Sequence, residues 1–241
     1  DAIKNWGDYR QIGENAVEIF RERYTVSHVI SQMLQFMDEA KINAQGIDPI
    51  KGHLAAIDAL ADKDAIADYL RSSAAKGQNF LFGFGALPEF SNPNMNTAVA
   101  VQGGLGLPDK NYYFDADKKK EREAYELHIA KVLELSGIVA ADAAKQAKDV
   151  IAFETRLAKV SKSSEELSVQ IEDADKKTPN FPWSKFFVAQ GIAAPKMFSM
   201  AIPGFHAEFD RMLADTPVAS WKSYLRFHTV DSASPFLGKA F

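Results

Sequence analysis

The 241-residue sequence contains no cysteine, and this absence excludes several kinds of site at once. Without thiols the chain can form no disulfide, no zinc site built on cysteine ligands and no cysteine nucleophile. A chain of this length can bury a sizeable apolar core without covalent cross-links, so the lack of cysteine does not by itself indicate a compartment.

Long apolar runs and extended segments of one charge sign are absent as well. No stretch approaches the roughly 20 apolar residues that span a bilayer, and the first residues, Asp1-Ala-Ile-Lys4, lack the apolar segment of a signal peptide. The net charge is −4, and the one basic run, Lys118-Lys-Lys120, is followed at once by glutamate, as on a solvated helix face. We therefore expect no membrane segment and no nucleic-acid partner.

Catalytic motifs that depend on histidine or serine spacing are also missing. A zinc peptidase motif needs His-Glu-x-x-His on one helix, because histidines four residues apart share a face. None of the 5 histidines has a histidine four residues later, and there is no Gly-x-Ser-x-Gly. His206-Ala-Glu208-Phe-Asp210 comes closest to a metal site, but one imidazole with two carboxylates is a weak signal for any metal. We predict no catalytic residue and no metal ligand here.

Apolar residues recur at helical spacing along most of the chain. Two such stripes are Ile50, Leu54, Ile57 and Leu60, and Ala147, Val150, Ile151 and Leu157. Residues 80–87 and 97–102 instead alternate with a period of two on either side of a segment rich in proline and asparagine, which predicts a two-stranded antiparallel ribbon. Residues 162–180 are polar and weakly patterned, and we predict a loop or a mobile segment there. The expected fold is mainly α, a multi-helix lobe with a small two-stranded antiparallel ribbon.

Glu154 is a charged residue inside an apolar helical stripe, which allows two interpretations. In the commoner case such a side chain points along the edge of the stripe into water. In the other case it forms a buried ion pair, for which Arg122 is the candidate partner. Removing one member of a buried pair would cost roughly 3–5 kcal/mol.

Three glycines and a proline interrupt the chain at residues 103–108. A loop that binds a dinucleotide needs Gly-x-Gly-x-x-Gly opening directly onto a helix. Here Gly104-Leu-Gly106 is followed by Leu107-Pro108-Asp109, so the third glycine is absent and a carboxylate would repel a phosphate. We interpret this glycine-rich corner as a structural turn.

The corner and the residues after it, Gln102-Gly-Gly-Leu-Gly-Leu-Pro-Asp-Lys-Asn-Tyr-Tyr113, resemble a segment of the neprilysin-like zinc metallopeptidases. In that family Gly-Leu-Gly-Leu-Pro-(Asp/Ser)-(Arg/Lys)-(Asp/Asn)-Tyr-Tyr stands in the non-catalytic half. Further segments resemble the family in the same order, among them Asn5-Trp-Gly-Asp-Tyr9, Phe36-Met-Asp-Glu39, Phe153-Glu-Thr-Arg-Leu-Ala158 and Thr216-Pro-Val-Ala-Ser-Trp221. Residues 21–25 are shorter than the family pattern, and residues 173–179 lack its Asn-Pro-Met.

The resemblance implies that residues 1–241 form the helical lobe that encloses the substrate of a two-lobed zinc endopeptidase. Zinc is then expected in the full-length parent and not in this chain, which alone would be inactive. The implied partners are peptide substrates and the catalytic lobe of the same protein. The alternative is a non-catalytic helical module, derived from such a lobe, that binds peptides or proteins. We expect a periplasmic or secreted parent, with a cytoplasmic location left open.

One substrate-binding position of the family can be located by the resemblance. The family has an arginine two residues before the glycine of its aromatic-Gly motif, where it holds the far end of the bound peptide. This chain has Asn5 at that place. An asparagine amide forms hydrogen bonds but cannot make a charged bidentate pair with a carboxylate. We therefore expect the parent enzyme to have a weaker preference for a free peptide C-terminus over an amidated one.

Overall fold

The computed structural model describes residues 38–89, 92–161, 166–195 and 197–241. The helices of these residues are α1 (Glu39–Gln45), α2 (Lys51–Asp58), α3 (Lys63–Ala74), α4 (Lys119–Leu135), α5 (Ala140–Val160), α6 (Ile171–Lys177), α7 (Trp183–Ala189), α8 (Pro203–Asp215) and α9 (Val218–Ala233). The strands are β1 (Phe82–Glu89), β2 (Asn92–Gln102), β3 (Glu166–Gln170) and β4 (Met197–Ala201). The prediction of a mainly helical fold is confirmed.

The chain divides into two compact units, of which the smaller holds residues 1–49 and 236–240. In its described part, Asp38 caps α1 by accepting a hydrogen bond from the Lys41 amide at 3.1 Å. Lys239 pairs with Glu39 at 2.6 Å, and its own amide donates to Asn43 Oδ1 at 2.7 Å. These contacts hold the end of the chain on α1.

The larger unit, residues 50–235 with Phe241, contains a sheet in the order β1-β2-β4-β3. The predicted ribbon is present, because β1 and β2 pair antiparallel with Phe82 opposite Gln102. Two more strands extend it. β4 pairs parallel with β2 at Val99 and Ala100, and β3 pairs antiparallel with β4.

The prediction of a loop over residues 162–180 is wrong for residues 166–177, which form β3 and α6, whereas residues 162–165 lie outside the described residues. Its local sequence pattern is weak, and the order comes from tertiary contacts: β3 pairs with β4 over its full length. Asp175, on α6, accepts hydrogen bonds from the Trp183 amide at 2.7 Å and the Ser184 hydroxyl at 2.6 Å, and so caps α7. Pairing partners distant in sequence thus decide the structure of this segment.

An aromatic cluster joins the ribbon to α7 and α8. The ring of Phe82 lies 5.1 to 6.1 Å, centroid to centroid, from the rings of Phe181, Trp183, Phe186, His206 and Phe209. Phe84 packs against Phe186 and Phe187 in the same way. Trp183 and Trp221 belong to the core, since both are fully buried. The base of the ribbon is therefore anchored in the core.

The helices α4 and α5 pack against each other as a helical hairpin, with α9 packed on both. Gly137 follows α4 with a φ of 96°, in the left-handed conformation that commonly ends a helix. No helix in the described part of the chain combines the length and the apolar character that crossing a membrane requires.

His206 is completely buried, which makes the stability of the chain sensitive to acid. Burial lowers the pKa of His206 to about 4, whereas an unfolded histidine titrates near pH 6.5. Because the folded pKa is the lower one, the unfolded chain binds the proton first. The contribution of His206 to the free energy of unfolding is therefore fully present above about pH 6.5. It is lost, by roughly 3 kcal/mol, as the pH drops towards 4.

We expect His206→Phe to lack this part of the acid sensitivity. The measurement is the free energy of unfolding in urea for both proteins at pH 7 and at pH 4.5. The wild type should lose more stability than the variant between the two values. An identical loss in both proteins would show that His206 is not the group that titrates.

Candidate functional site

The glycine-rich corner lies between β2 and a short 3₁₀ helix over Lys110–Tyr113, which Asp109 caps through the Asn111 amide at 2.8 Å. Two of its glycines lie so close to tyrosine hydroxyls that a side chain would not fit at either position. A Cβ added to Gly104 would lie 2.6 Å from the Tyr224 hydroxyl, and one added to Gly106 would lie 1.7 Å from the Tyr125 hydroxyl. Gly104 also has a φ of 80°, which favours glycine.

Glu154, on α5, is the residue on which the corner is fixed. Its side chain is fully buried and its carboxylate accepts hydrogen bonds at both oxygens. Oε2 lies 2.6 Å from the Tyr113 hydroxyl and 3.3 Å from the Gly106 amide. Oε1 lies 3.0 Å from the Tyr125 hydroxyl and 2.7 Å from His228 Nε2. We call Glu154, Tyr113, Tyr125 and His228, together with the Gly106 amide, the Glu154 cluster.

The structure corrects both interpretations of Glu154. The side chain does not point into water, and its basic partner is His228 on α9 rather than Arg122. Arg122 instead donates to the carbonyl oxygens of Tyr112 at 2.8 Å and Asp115 at 2.7 Å. The buried pair with a basic residue exists, but the helix that supplies the base was wrongly assigned.

Further hydrogen bonds hold the corner on both sides of Gly106. The Leu107 amide donates to the Tyr113 hydroxyl at 3.1 Å. On the other side, the Tyr224 hydroxyl lies 2.7 Å from the Phe80 carbonyl oxygen and 2.9 Å from that of Gly104. The corner is thus tied to α4, α5 and α9 and to the residues just before β1.

The electrostatics of the cluster keep its tyrosines protonated. Burial, reinforced by the negative charge of Glu154, raises the pKa of Tyr113, Tyr125 and Tyr224 well above the ordinary value. The hydroxyls of Tyr113 and Tyr125 therefore remain hydrogen-bond donors to the carboxylate. The arrangement offers no activated nucleophile, and its chemistry is to position backbone.

The interpretation of the corner as a structural turn, rather than a phosphate loop, is confirmed by the same contacts. The Gly106 amide points at the Glu154 carboxylate, so a negative group of the protein already occupies the place a phosphate would need. A second anion at this position would be repelled.

The residues of the closest metal-like pattern do not converge. His206 is buried among the rings of Phe82, Trp183 and Phe205. Glu208 instead pairs with Arg156 and Arg211, while the Asp210 carboxylate accepts hydrogen bonds from the Asn180 amide at 2.8 Å and the Phe181 amide at 3.0 Å. Within the described ranges no group of three or more histidine, aspartate and glutamate side chains could hold a metal ion. These residues do not fit a zinc ion.

The sequence indicated one substrate-binding residue that the structure does not describe, and it did not reveal the partners of Glu154. Asn5, the predicted substrate-binding residue, lies outside the described residues, so its role stays a prediction. The tyrosines and His228 of the Glu154 cluster were not predicted as partners of Glu154. The sequence feature that indicates such partners is the glutamate inside an apolar stripe, because a buried carboxylate needs several hydrogen-bond donors.

Comparison with known proteins identifies the family. The family model described as peptidase family M13 matches residues 16–241. The zinc metalloprotease Zmp1 of Mycobacterium tuberculosis, in complex with an inhibitor, is 25% identical over 85% of this chain with a TM-score of 0.76. The open state of Zmp1 is 26% identical with a TM-score of 0.78. PepO from Lactobacillus rhamnosis is 15% identical over 97% of the chain with a TM-score of 0.74, which shows a shared fold.

The chain spans only 33% of the Zmp1 chain and 39% of the PepO chain. With the family model covering nearly all of the sequence, the expectation from the glycine-rich corner is confirmed: the chain belongs to peptidase family M13, the neprilysin-like zinc metallopeptidases.

Proposed function

We propose that the chain is the helical, substrate-enclosing lobe of a zinc-dependent endopeptidase that cleaves short peptides. The observation that carries this proposal is the family match over residues 16–241, joined to a likeness that covers only a third of a zinc metalloprotease. The proposal includes the two-lobed organisation of the complete protein, its peptide substrates and its zinc ion.

The Glu154 cluster supports a role as a rigid wall. It fixes the turn between the ribbon and α4 by buried, charge-assisted hydrogen bonds, which are stronger than neutral ones. A wall that encloses a peptide selects by size and excludes water from the reaction. Since the described residues do not fit zinc, the proposal places the metal ligands outside them.

The proposal is tested by comparing the 241-residue chain with the complete polypeptide that its gene encodes. Metal analysis of the complete polypeptide should give one zinc per molecule, and it should cleave fluorogenic peptides in a chelator-sensitive way. The 241-residue chain should do neither. Stoichiometric zinc and peptide cleavage by this chain alone would contradict the division of roles. A complete reading frame without His-Glu-x-x-His would instead favour the non-catalytic peptide- or protein-binding module. The periplasmic or secreted location stays a prediction.

A further inference from the structure

The outer half of β1 is an exposed apolar strand segment that the core does not use. Gly85, Ala86, Leu87 and Pro88 on β1 are exposed, and on β2 Met95 is exposed between Asn94 and Asn96, which are exposed as well. Leu87 and Met95 are 45% and 57% exposed, which is high for large apolar side chains in a strand. The aromatic rings of Phe82 and Phe84 hold the base of the same ribbon against α7, so the exposed half projects from a fixed support.

β1 is also an edge strand. Among the described residues it has β2 on one side and no strand on the other. An edge strand leaves every second residue with its backbone N–H and C=O groups directed outwards, ready to pair with another extended chain. Proteins commonly protect such edges with charged side chains, proline or a β-bulge. β1 has these features only at its outer end, where Pro88 and Glu89 lie at a shift in the pairing register with β2, and residues 82–87 have none of them.

Within the part of the chain that the structure describes, no contact and no backbone conformation requires a glycine at position 85. A Cβ placed on Gly83 would meet Val101 Cγ2 at 2.9 Å, whereas one placed on Gly85 would have no described atom within 4 Å. Gly85 is not in a positive-φ conformation either. A glycine inside a strand costs stability and often marks a place where a ligand or another backbone approaches closely. Its cross-strand neighbour is Val99, whose own side chain is buried, so the exposed position is that of Gly85 alone.

The segment around this edge is nearly free of charge. Between Lys76 and Asp109 only Glu89 is charged, in a chain with 25% charged residues. A charged side chain brought onto such a surface would lose water without gaining a partner, whereas an apolar one would gain by burial. The surface is therefore complementary to an uncharged, apolar stretch of polypeptide.

We propose that β1 binds an extended, uncharged peptide segment as an additional strand, with one large apolar side chain of that segment lying over Gly85. This proposal rests on the proposed function, which supplies peptides as the molecules that the lobe encloses. Backbone pairing along β1 would hold peptides of many sequences, and the open position at Gly85 would favour an aromatic or large aliphatic residue.

The test uses the 241-residue chain and the probe peptide acetyl-Thr-Val-Phe-Val-Thr-amide. Hydrogen exchange should slow for those backbone amides of residues 82–87 that face the outer edge of β1 when the probe is added. Gly85→Val should weaken binding of the probe by at least about tenfold, measured by fluorescence anisotropy of a labelled peptide. The same variant should not lower the melting temperature of the chain, because valine favours strands and nothing described obstructs its side chain.

Asn96→Thr is the matched control, because it raises strand propensity on β2 opposite Pro88 and leaves the outer edge of β1 unchanged. It should bind the probe with wild-type affinity. A probe with aspartate in place of phenylalanine should bind at least about tenfold more weakly. Equal affinity of Gly85→Val and wild type, or protection at a site other than β1, would overturn the proposal. Protection of β1 in the complete polypeptide with no peptide present would also overturn it, since a strand of that polypeptide would then cover the edge.

The two proposals fail separately. If the complete polypeptide holds zinc and cleaves peptides, but hydrogen exchange of its β1 amides does not change when the probe is added, only the proposal of peptide binding at the ribbon is refuted. Binding of the probe at β1 in a protein whose gene encodes no zinc motif would refute the proposed enzyme and leave the ribbon site in place.

Discussion

Replacing Glu154 by glutamine is expected to lower the free energy of unfolding by roughly 3–5 kcal/mol. The carboxylate accepts hydrogen bonds from two tyrosine hydroxyls, one backbone amide and one histidine nitrogen, and it is shielded from water. Glutamine keeps one acceptor oxygen and places an NH₂ group where the second oxygen stood. At the Oε2 position the NH₂ group would face the Gly106 amide, which can only donate. At the Oε1 position it would require the Tyr125 hydroxyl and the His228 nitrogen to become acceptors and lose their hydrogen bonds to a carboxylate.

Urea unfolding of the wild type and of Glu154→Gln measures this loss. Glu134→Gln is the control, because Glu134 is exposed on α4 and pairs with Lys131 at 3.4 Å, a contact worth less than about 1 kcal/mol. A double-mutant cycle identifies the partner: Glu154→Gln should couple with His228→Gln and not with Arg122→Gln. Unchanged stability in Glu154→Gln would show that the cluster does not hold the corner.

The helices and the ribbon could be predicted because their signals are local. The stripe from Ile50 to Leu60 and the alternation of residues 80–87 each lie within a dozen residues. The first corresponds to helix α2 and the second to strand β1, as predicted. β3 could not be predicted in this way, since its order comes from pairing with β4 about 30 positions later. Local propensity says little about a strand that tertiary pairing stabilises.

The candidate site shows the same limit. Glu154 could be recognised as unusual from its stripe, yet its donors lie 29 to 74 positions away, on α4, on α9, in the corner and in the 3₁₀ helix that follows it. The sequence positions of Arg122 and His228 do not show which of these two basic side chains contacts the Glu154 carboxylate. The glycines of the corner could be read as a turn, but the tyrosine hydroxyls that require them were visible only in the fold.

Replacing Gly106 by alanine is expected to destabilise the chain by roughly 3 kcal/mol or more. The added methyl group would lie 1.7 Å from the Tyr125 hydroxyl and 2.6 Å from its Cζ atom. Tyr125 cannot simply move aside, because its hydroxyl donates to Glu154 at 3.0 Å. The substitution therefore displaces a ring and breaks a hydrogen bond to a buried carboxylate. Gly106 is not in a positive-φ conformation, so the backbone itself adds no strain.

Thermal and urea unfolding of four proteins test this steric account: the wild type, Gly106→Ala, Tyr125→Leu and the double variant. Leucine lacks both atoms that the new methyl group would strike, so Gly106→Ala should cost much less in the Tyr125→Leu background. Gly52→Ala is the control, because Gly52 lies in α2 with no described atom near an added Cβ, and alanine there should stabilise by about 0.5–1 kcal/mol. Equal costs of Gly106→Ala in both backgrounds would show that the Tyr125 contact is not what requires glycine at this position.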